Sequence, residues 1–427
     1  MPTYYIWTIG CQMNRAESER LEARFAGHGY SAADSAAEAD VVVVNSCVVR
    51  MHAEDKVVNK LFNLKPLKKA RPEMRIALTG CFVGQDSSEL QKRFPYVDDF
   101  LKPGEIPAWL EDCSPLLPAK SGVTAYVPII QGCNNFCSYC IVPYRRGREV
   151  SRPISEIVGE VQSLVSRGTK EVTLVGQNVD SYGHDLEGKP DLADLLTELN
   201  AIPGLLRIRF LTNHPKDMSP RLIEAMTRLN TVCRQINLPV QAGDDAVLAL
   251  MKRGYTISDF RALMGRLRKA MPDIAVTTDV IVGFPGETDE QFQNTYNLLV
   301  ELKFDAVHSA AYSIRPGTLA ASKYPDDVPA DVKKARLAAV ETLQEQISTE
   351  INSRLLGQTV EVLVETQDRG RWQGRTCADK LVFFSGGRDL PGRMARVKIE
   401  KTSAWSMQGK AEDFQNPPQS PFSKGGG

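Results

Sequence analysis

The sequence predicts an α/β protein of three parts: an N-terminal small parallel α/β domain, a central partial (β/α)6 TIM-like barrel and a C-terminal small antiparallel β-barrel. Three observations predict this. Apolar strand-like runs alternate with helical periodicity over residues 1–112. A longer series of the same kind runs from residue 126 to residue 312. After Gly357 the texture changes to short β-like runs with Gly and Arg between them. Alternating strands and helices imply parallel sheets, because each helix returns the chain to the start of the next strand.

In the first part, strands are expected at 4–9, 40–44 and 75–79, each followed by a helix at 14–26, 52–64 and 85–93. Residues 113–122, rich in Pro, Ser and Gly, read as a linker. In the second part, strands are expected at 126–130, 171–175, 207–211, 235–238, 276–282 and 306–312. Helical patterns at 154–166, 192–199, 222–229, 260–270 and 290–302 separate them, and an amphipathic helix at 331–356 closes the series. Six such units make a partial barrel with its working loops at the strand C-termini. The last part has β-like runs at 360–364, 371–376, 381–384 and 394–399. Domain boundaries are therefore expected at 1–118, 119–355 and 356–414, with a low-complexity, disordered tail at 415–427.

Lys plus Arg and Asp plus Glu both number 52, so the whole chain carries no net charge and its overall charge does not call for a nucleic acid. Local charge differs. Residues 357–410 hold ten Lys and Arg against six Asp and Glu, whereas residues 1–119 hold fourteen against sixteen. The last part is the basic one. No apolar run is long enough to span a membrane, and the N-terminus reads as a strand rather than a signal peptide. Nine cysteines, an odd number, fit a reducing cytoplasm and metal binding better than disulfides.

Cys133, Cys137 and Cys140 form a C-x3-C-x2-C motif just after the first strand of the central part. Three thiolates hold three irons of a [4Fe–4S] cube and leave the fourth open to a small molecule, whereas electron-transfer clusters close with four Cys. An open iron is a place for chemistry. Cys11, Cys47 and Cys81 look scattered but share a context: each ends an apolar strand and precedes a helix. In a parallel sheet these positions meet along one edge. The helix N-termini behind them favour an anionic cluster, and Gly10 and Gly80 permit close backbone approach. The competing reading makes the three thiols ordinary buried hydrophobes. Cys113, Cys233 and Cys377 lack this context and read as linker or core residues. His28, His52 and His184 read as surface or loop residues and His308 as a core histidine. His214, after a strand end, either lines the barrel mouth or fills a loop.

At Cys133–Cys140 the chain resembles the radical S-adenosylmethionine superfamily. The resemblance implies that the open iron chelates the amine and carboxylate of S-adenosylmethionine, whose cleavage yields a 5′-deoxyadenosyl radical. It also implies that Tyr139 lies near the adenine. Further segments are similar to the methylthiotransferases of that superfamily: Cys-Gln-Met-Asn at 11–14, Asn-Ser-Cys-Val-Val-Arg at 45–50, Gly-Cys at 80–81, and Cys-Ser-Tyr-Cys-Ile-Val-Pro-Tyr-Arg-Arg-Gly-Arg-Glu at 137–149. The match continues in 238–243, 251–256, 279–288 and 312–318, and the C-terminal barrel resembles a TRAM domain, an RNA-binding module. The likeness covers about 1–412. It implies two [4Fe–4S] clusters and S-adenosyl-L-methionine as cofactors, with Cys11, Cys47 and Cys81 holding the second cluster and no catalytic side chain beyond the six cysteines.

Gly374-Arg375-Thr376 and Lys380–Phe384 are closest to the tRNA branch, which methylthiolates N6-isopentenyladenosine beside the anticodon. Siblings act on threonylcarbamoyladenosine in tRNA or on a ribosomal-protein aspartate. Ser46, Asn213 and Ile314 depart from the usual Thr, Ser and Pro, which leaves the substrate open between them. Gly176, Gln177, Gln241 and Arg315, at later strand ends, are candidates for binding S-adenosylmethionine; as loop-forming or capping polars they would look the same. Arg145, Arg146 and Arg148 are candidates for phosphates of the anticodon stem-loop; as a solvated basic loop they would look the same. With the resemblance to an RNA-binding module, Arg369, Arg371, Arg375 and Lys380, with Trp372, are candidates to offer RNA both charge and a stacking surface; an unbound strand face would look the same. Expected partners are tRNA and an unnamed electron donor, with no membrane, and a monomer in the cytoplasm. Two rival classes stay open: a non-catalytic iron–sulfur RNA-binding or redox protein, and a radical enzyme without sulfur insertion.

Overall fold

The computed structural model describes residues 1–48, 51–110, 122–387 and 389–415. The linker expected at 113–122 lies outside these residues apart from Gly122, as do Cys113 and the tail beyond Gln415.

The N-terminal sheet has five parallel strands in the order Ser31–Ala32, Thr3–Thr8, Val41–Ser46, Arg75–Gly80 and Asp99–Phe100. Val41–Ser46 is buried along its whole length, as a central parallel strand covered on both faces must be. Helices Gln12–Gly27, Met51–Ala70 and Ser88–Arg93 follow the three long strands. The middle helix runs past Pro66, where the sequence suggests an end at 64. Buried Leu61 and Leu64, with Leu67 packed beside them, hold its apolar face to the sheet across the proline.

The central part is two three-stranded parallel sheets. One joins Arg207–Phe210, Glu171–Val175 and Thr124–Pro128; the other joins Gln235–Asn237, Ala275–Val282 and Ala306–Ala311. A parallel bridge between Ile208 and Val232 links them into the six-stranded partial barrel. Its helices start where side chains cap them: Asp191 accepts from the Asp194 N–H, Thr256 from Asp259 and Thr288 from Gln291. Helix Ala330–Ser353 closes the part. His308 is exposed on the edge strand, not in the core as expected, because that strand turns its face to solvent.

The C-terminal part is a closed barrel of Thr359–Asp368, Arg371–Thr376, Leu381–Ser385, Met407–Gln415 and Met394–Thr402. Two points differ from expectation. Leu381–Ser385 and Met407–Gln415 pair in parallel, so the barrel is mixed rather than wholly antiparallel. Gln415 ends the strand that closes the barrel, so it belongs to the barrel and not to a tail.

This barrel is seated at the N-terminal edge of the core strands. Arg207 donates to the Arg375 carbonyl at 2.6 Å, and Arg209 donates to the carbonyls of Thr376 at 2.7 Å and Cys377 at 2.9 Å. Glu171 accepts from Arg209 at 2.8 Å, and Lys380 pairs with Asp305 at 2.7 Å. At the opposite edge, the loop after Thr124–Pro128 runs into the N-terminal domain, where Ile141 packs into that domain's core beside Cys81, Phe82 and Val83.

Candidate iron–sulfur and cofactor sites

Cys11, Cys47 and Cys81 are brought together at the C-terminal edge of the N-terminal sheet. The packing there leaves no room for side chains on the glycines. A Cβ on Gly10 would sit 2.8 Å from Cβ of Cys47, and one on Gly80 would sit 2.3 Å from the Ser46 carbonyl. Buried Asn14 and Asn45 lock the edge: Asn14 donates to Asn45 Oδ1 at 2.9 Å, and Asn45 donates to the Asn14 carbonyl at 2.8 Å. Cys47 and Cys81 are buried and share a hydrogen bond; no described cysteine is in a disulfide. That hydrogen bond and burial push the Cys81 thiol up, while the Arg146 cation pulls against them. Burial likewise raises Cys11.

Arg146, a candidate either for a phosphate or for a solvated loop, does neither in the structure. It is buried, pairs with Glu17 at 2.6 Å and donates from Nε to Cys81 Sγ at 3.0 Å. The cause is the short helix Val142–Arg146, which begins just after Cys140 and docks on the loop after Cys81. There Gln85 donates to the Arg145 carbonyl at 3.2 Å, and the Arg145 side chain covers Gly84. Arg148 remains exposed, stacked 4.4 Å over the Phe136 ring.

Cys133, Cys137 and Cys140 lie on the loop that starts at Gly132. Gly132 has φ +80°, and a Cβ there would meet the Arg148 carbonyl at 2.0 Å. Gln177 fixes this start, its Oε1 accepting from the Gly132 N–H at 2.6 Å. Ser138 anchors the middle through its N–H to the Met251 carbonyl and its hydroxyl to that of Leu250. Burial pushes the Cys133 thiol up to about 11 and the Cys140 thiol up to about 12. Buried Arg253 lies against this set, donating to Cys137 Sγ at 3.3 Å and to the Pro239 carbonyl at 2.8 Å. It also reaches the Tyr139 hydroxyl at 3.5 Å.

A polar network extends from this loop across the strand ends. Asp217 accepts from Asn135 at 3.0 Å and from Asn178 at 2.8 Å. Asp180 accepts from Asn213 at 2.6 Å and from the His214 N–H at 2.8 Å. Burial pushes Asp180 up to about 7 and, aided by Arg253 and Lys216, pushes His214 down to about 2, so His214 is neutral. Among the described residues, Asn178 Oδ1, Asn213 Oδ1 and His214 Nε2 are buried here without a hydrogen-bond partner. Gln241 is buried nearby on the strand ends with a left-handed backbone, φ 69°, a strained conformation for a residue other than Gly. Arg315 is buried and faces Glu54, Asp55 and Cys47 of the N-terminal domain.

The residues fit two anionic clusters and a polar ligand. Each cysteine set is backed by a buried guanidinium aimed at a sulfur, which suits thiolate ligands and an anionic cluster. The orphaned polar atoms at 178, 213 and 214 suit a polar molecule beside Cys133, Cys137 and Cys140. Among the described residues no three His, Cys, Asp or Glu converge on a single ion. A cube distributes its thiolates over separate irons, so its ligands need not converge in that way.

Part of the RNA surface is also corrected. Arg369 and Arg371 are exposed at the hairpin between their strands. Trp372 instead faces inward and packs in the barrel core with Phe384 and Val397. Arg375 is engaged with Asp379 at 3.3 Å and Glu365 at 3.9 Å, and Lys380 with Asp305. Arg253, Glu17, Asp180 and Asp217 were not singled out from the sequence. Arg253 has a signal there, one of two adjacent cations in the Met-Lys-Arg-Gly-Tyr-Thr segment; the carboxylates have none.

A core with this loop and these strand ends defines a radical S-adenosylmethionine protein, and residues 127–299 match the Radical SAM superfamily. Residues 3–102 match an uncharacterized protein family, UPF0004, and residues 353–411 match the TRAM domain. The chain is 56% identical over 411 residues to a tRNA-2-methylthio-N(6)-dimethylallyladenosine synthase of Dehalococcoides mccartyi (strain ATCC BAA-2266 / KCTC 15142 / 195), covering 96% of this chain and 98% of that one. It is 51% identical to the synthase of that name from Chloroflexus aurantiacus, covering 95% and 91%. A solved radical S-adenosylmethionine methyltransferase, TsrM from Kitasatospora setae with cobalamin and a [4Fe-4S] cluster bound, superposes with TM-score 0.54 at 13% identity, covering 87% and 81%. That likeness is one of fold. The chain belongs to the radical S-adenosylmethionine methylthiotransferase family, with the tRNA-2-methylthio-N(6)-dimethylallyladenosine synthases as its relatives.

Proposed function

We propose that the protein replaces the C2 hydrogen of N6-isopentenyladenosine, next to the anticodon of tRNA, with a methylthio group. It is a radical S-adenosylmethionine methylthiotransferase that uses [4Fe–4S] clusters and S-adenosylmethionine. Bound, these groups supply a carbon radical able to take an unactivated hydrogen, and a sulfur for transfer. The observation that carries the reading is the pairing of two cysteine triads through one short helix: Arg146, six residues after Cys140, touches Cys81. One triad serves the radical and the other the sulfur.

The chain's own residues prepare both places. Cys133, Cys137 and Cys140 hold the first cluster and Cys11, Cys47 and Cys81 the second. Gln177 fixes the cluster loop, while Gly176, Asn178, Asn213 and Gln241 present backbone and amide groups to S-adenosylmethionine, with Tyr139 beside its ring. Arg369 and Arg371 contact the RNA backbone. The protein acts as a monomer in the cytoplasm, on the anticodon stem-loop, with an external electron donor. Among the described residues no helix is long and apolar enough to cross a membrane.

The test compares nucleosides from digested total tRNA of cells lacking the gene and of complemented cells by mass spectrometry. Methylthio-isopentenyladenosine disappears in the first and returns in the second. An unchanged level of that nucleoside overturns the substrate assignment.

A further inference from the structure

Cys233 and Cys377 take no part in either triad. Cys233 is buried just before strand Gln235–Asn237, its N–H bonded to the Ile208 carbonyl at 2.9 Å. Cys377 is exposed on the turn between strands Arg371–Thr376 and Leu381–Ser385, which the sequence did not distinguish from core or linker. The turn is held against the core by Arg209, so the two side chains meet across the seam and share a hydrogen bond. Two thiols 144 residues apart in sequence are thus in contact, and each belongs to a different domain.

The surroundings favour reaction at one of the two. The guanidinium groups of Arg207 and Arg209 face Cys377, with Glu171 and Asp379 balancing them. The hydrogen bond from Cys233, helped by the Arg234 N–H and these cations, holds the Cys377 thiol down at about 6, while Cys233 stays well above the ordinary thiol range. Cys377 also lines a cavity of about 840 Å³ between core and barrel, shared with Arg234, Arg268 and Arg354. An exposed thiolate beside a buried partner thiol is the arrangement of a reactive and a resolving cysteine.

We propose that Cys233 and Cys377 form a reversible dithiol–disulfide site that straps the C-terminal barrel to the core, with a low-molecular-weight disulfide as oxidant. The Cys377 thiolate attacks one sulfur of the small disulfide, forming a mixed disulfide and releasing one thiolate. Cys233 gives up its proton and attacks the Cys377 sulfur, releasing the second small thiolate. Two protein thiols lose two electrons in all, and the small disulfide is reduced to two thiols.

The test is anaerobic equilibration of the cluster-loaded protein in glutathione buffers of graded oxidised-to-reduced ratio, followed by alkylation and peptide mass spectrometry. The expected result is a peptide linking Cys233 to Cys377, lost again on excess reduced thiol, with iron content unchanged. Cys233→Ser accumulates glutathione on Cys377 instead, and Cys377→Ser yields neither species. Full alkylation of both cysteines at every ratio overturns the proposal, as does a Cys377 linkage to some other cysteine.

Discussion

Arg146 and Cys81 come from different domains, and Arg146 Nε donates to Cys81 Sγ at 3.0 Å. The same guanidinium pairs with Glu17 at 2.6 Å. A cation at a ligand sulfur stabilises the extra electron of a reduced cluster. Removing Arg146 alone strands Glu17, so the clean variant is Arg146→Gln with Glu17→Gln. The reduction potential of the second cluster is expected to fall by tens of millivolts, where about 59 mV is a tenfold change for one electron. A redox titration followed by electron paramagnetic resonance reads it, and an unmoved potential rules out this role.

The division of labour between triads predicts a split phenotype. With Cys11, Cys47 and Cys81 all changed to Ala, S-adenosylmethionine is still cleaved to 5′-deoxyadenosine, while methylthio product is absent. Chromatography of both nucleosides decides. Methylthiolation by the triple variant would remove the second triad from the mechanism.

Gly80 carries a packing requirement that most glycines here lack. Its Cβ would overlap the Ser46 carbonyl at 2.3 Å and its φ is +92°, whereas a Cβ on Gly286 would meet nothing within 4 Å despite φ +79°. Gly286→Ala is expected to cost about 1–2 kcal/mol, the left-handed penalty. Gly80→Ala adds the overlap, a further ~1–3 kcal/mol, and lowers the iron bound by the second triad. Denaturant unfolding and iron analysis measure the two effects; equal losses would show that the sheet edge relaxes freely.

Asp180 makes stability depend on pH. Burial pushes its carboxyl from the ordinary 3.8 up to about 7. Between these values the native state keeps a proton that the unfolded chain has released, so stability falls as pH rises through that window. Asp180→Asn abolishes this dependence. The unfolding free energy of the variant relative to the parent is expected to rise by a few kcal/mol from pH 4 to pH 7, at about 1.4 kcal/mol per pK unit. A pH-independent difference would mean that Asp180 stays ionised.

On the C-terminal barrel, the exposed arginines and the buried tryptophan separate affinity from folding. Arg369→Ala with Arg371→Ala weakens tRNA binding and lowers the logarithmic salt slope by about 1–2, with unchanged melting. Trp372→Ala empties part of the barrel core and costs about 3–5 kcal/mol. Binding titrations at several salt concentrations beside thermal melts distinguish them, and an unaltered salt slope in the double variant would place the RNA elsewhere.

The cysteine triads were legible because strand-end positions in a parallel sheet share an edge, so three local contexts suffice to place three thiols. Arg146 was not legible: a run of arginines after a cluster loop looks the same in solvent or in a domain seam, and the docking of Val142–Arg146 decides. Trp372 had a usable signal that charge obscured. Strand alternation puts Trp372, Gly374 and Thr376 on one face and Arg371 and Arg375 on the other. The closing strand Met407–Gln415 offered little, since its apolar positions are sparse and none is β-branched.

The seating of Ile141 in the core of the first domain, with the Arg145 carbonyl held by Gln85, bears on how far these parts can be exchanged. The first domain borrows a core residue and a sulfur-binding cation from a loop that already carries the other cysteine set. Grafted onto a different barrel, it would keep its own three thiols but lose the plug beside Cys81 and the counter-charge for Glu17. The two halves are therefore not interchangeable cassettes, and changes in the loop after Cys140 and in the segment 81–85 have to arise together.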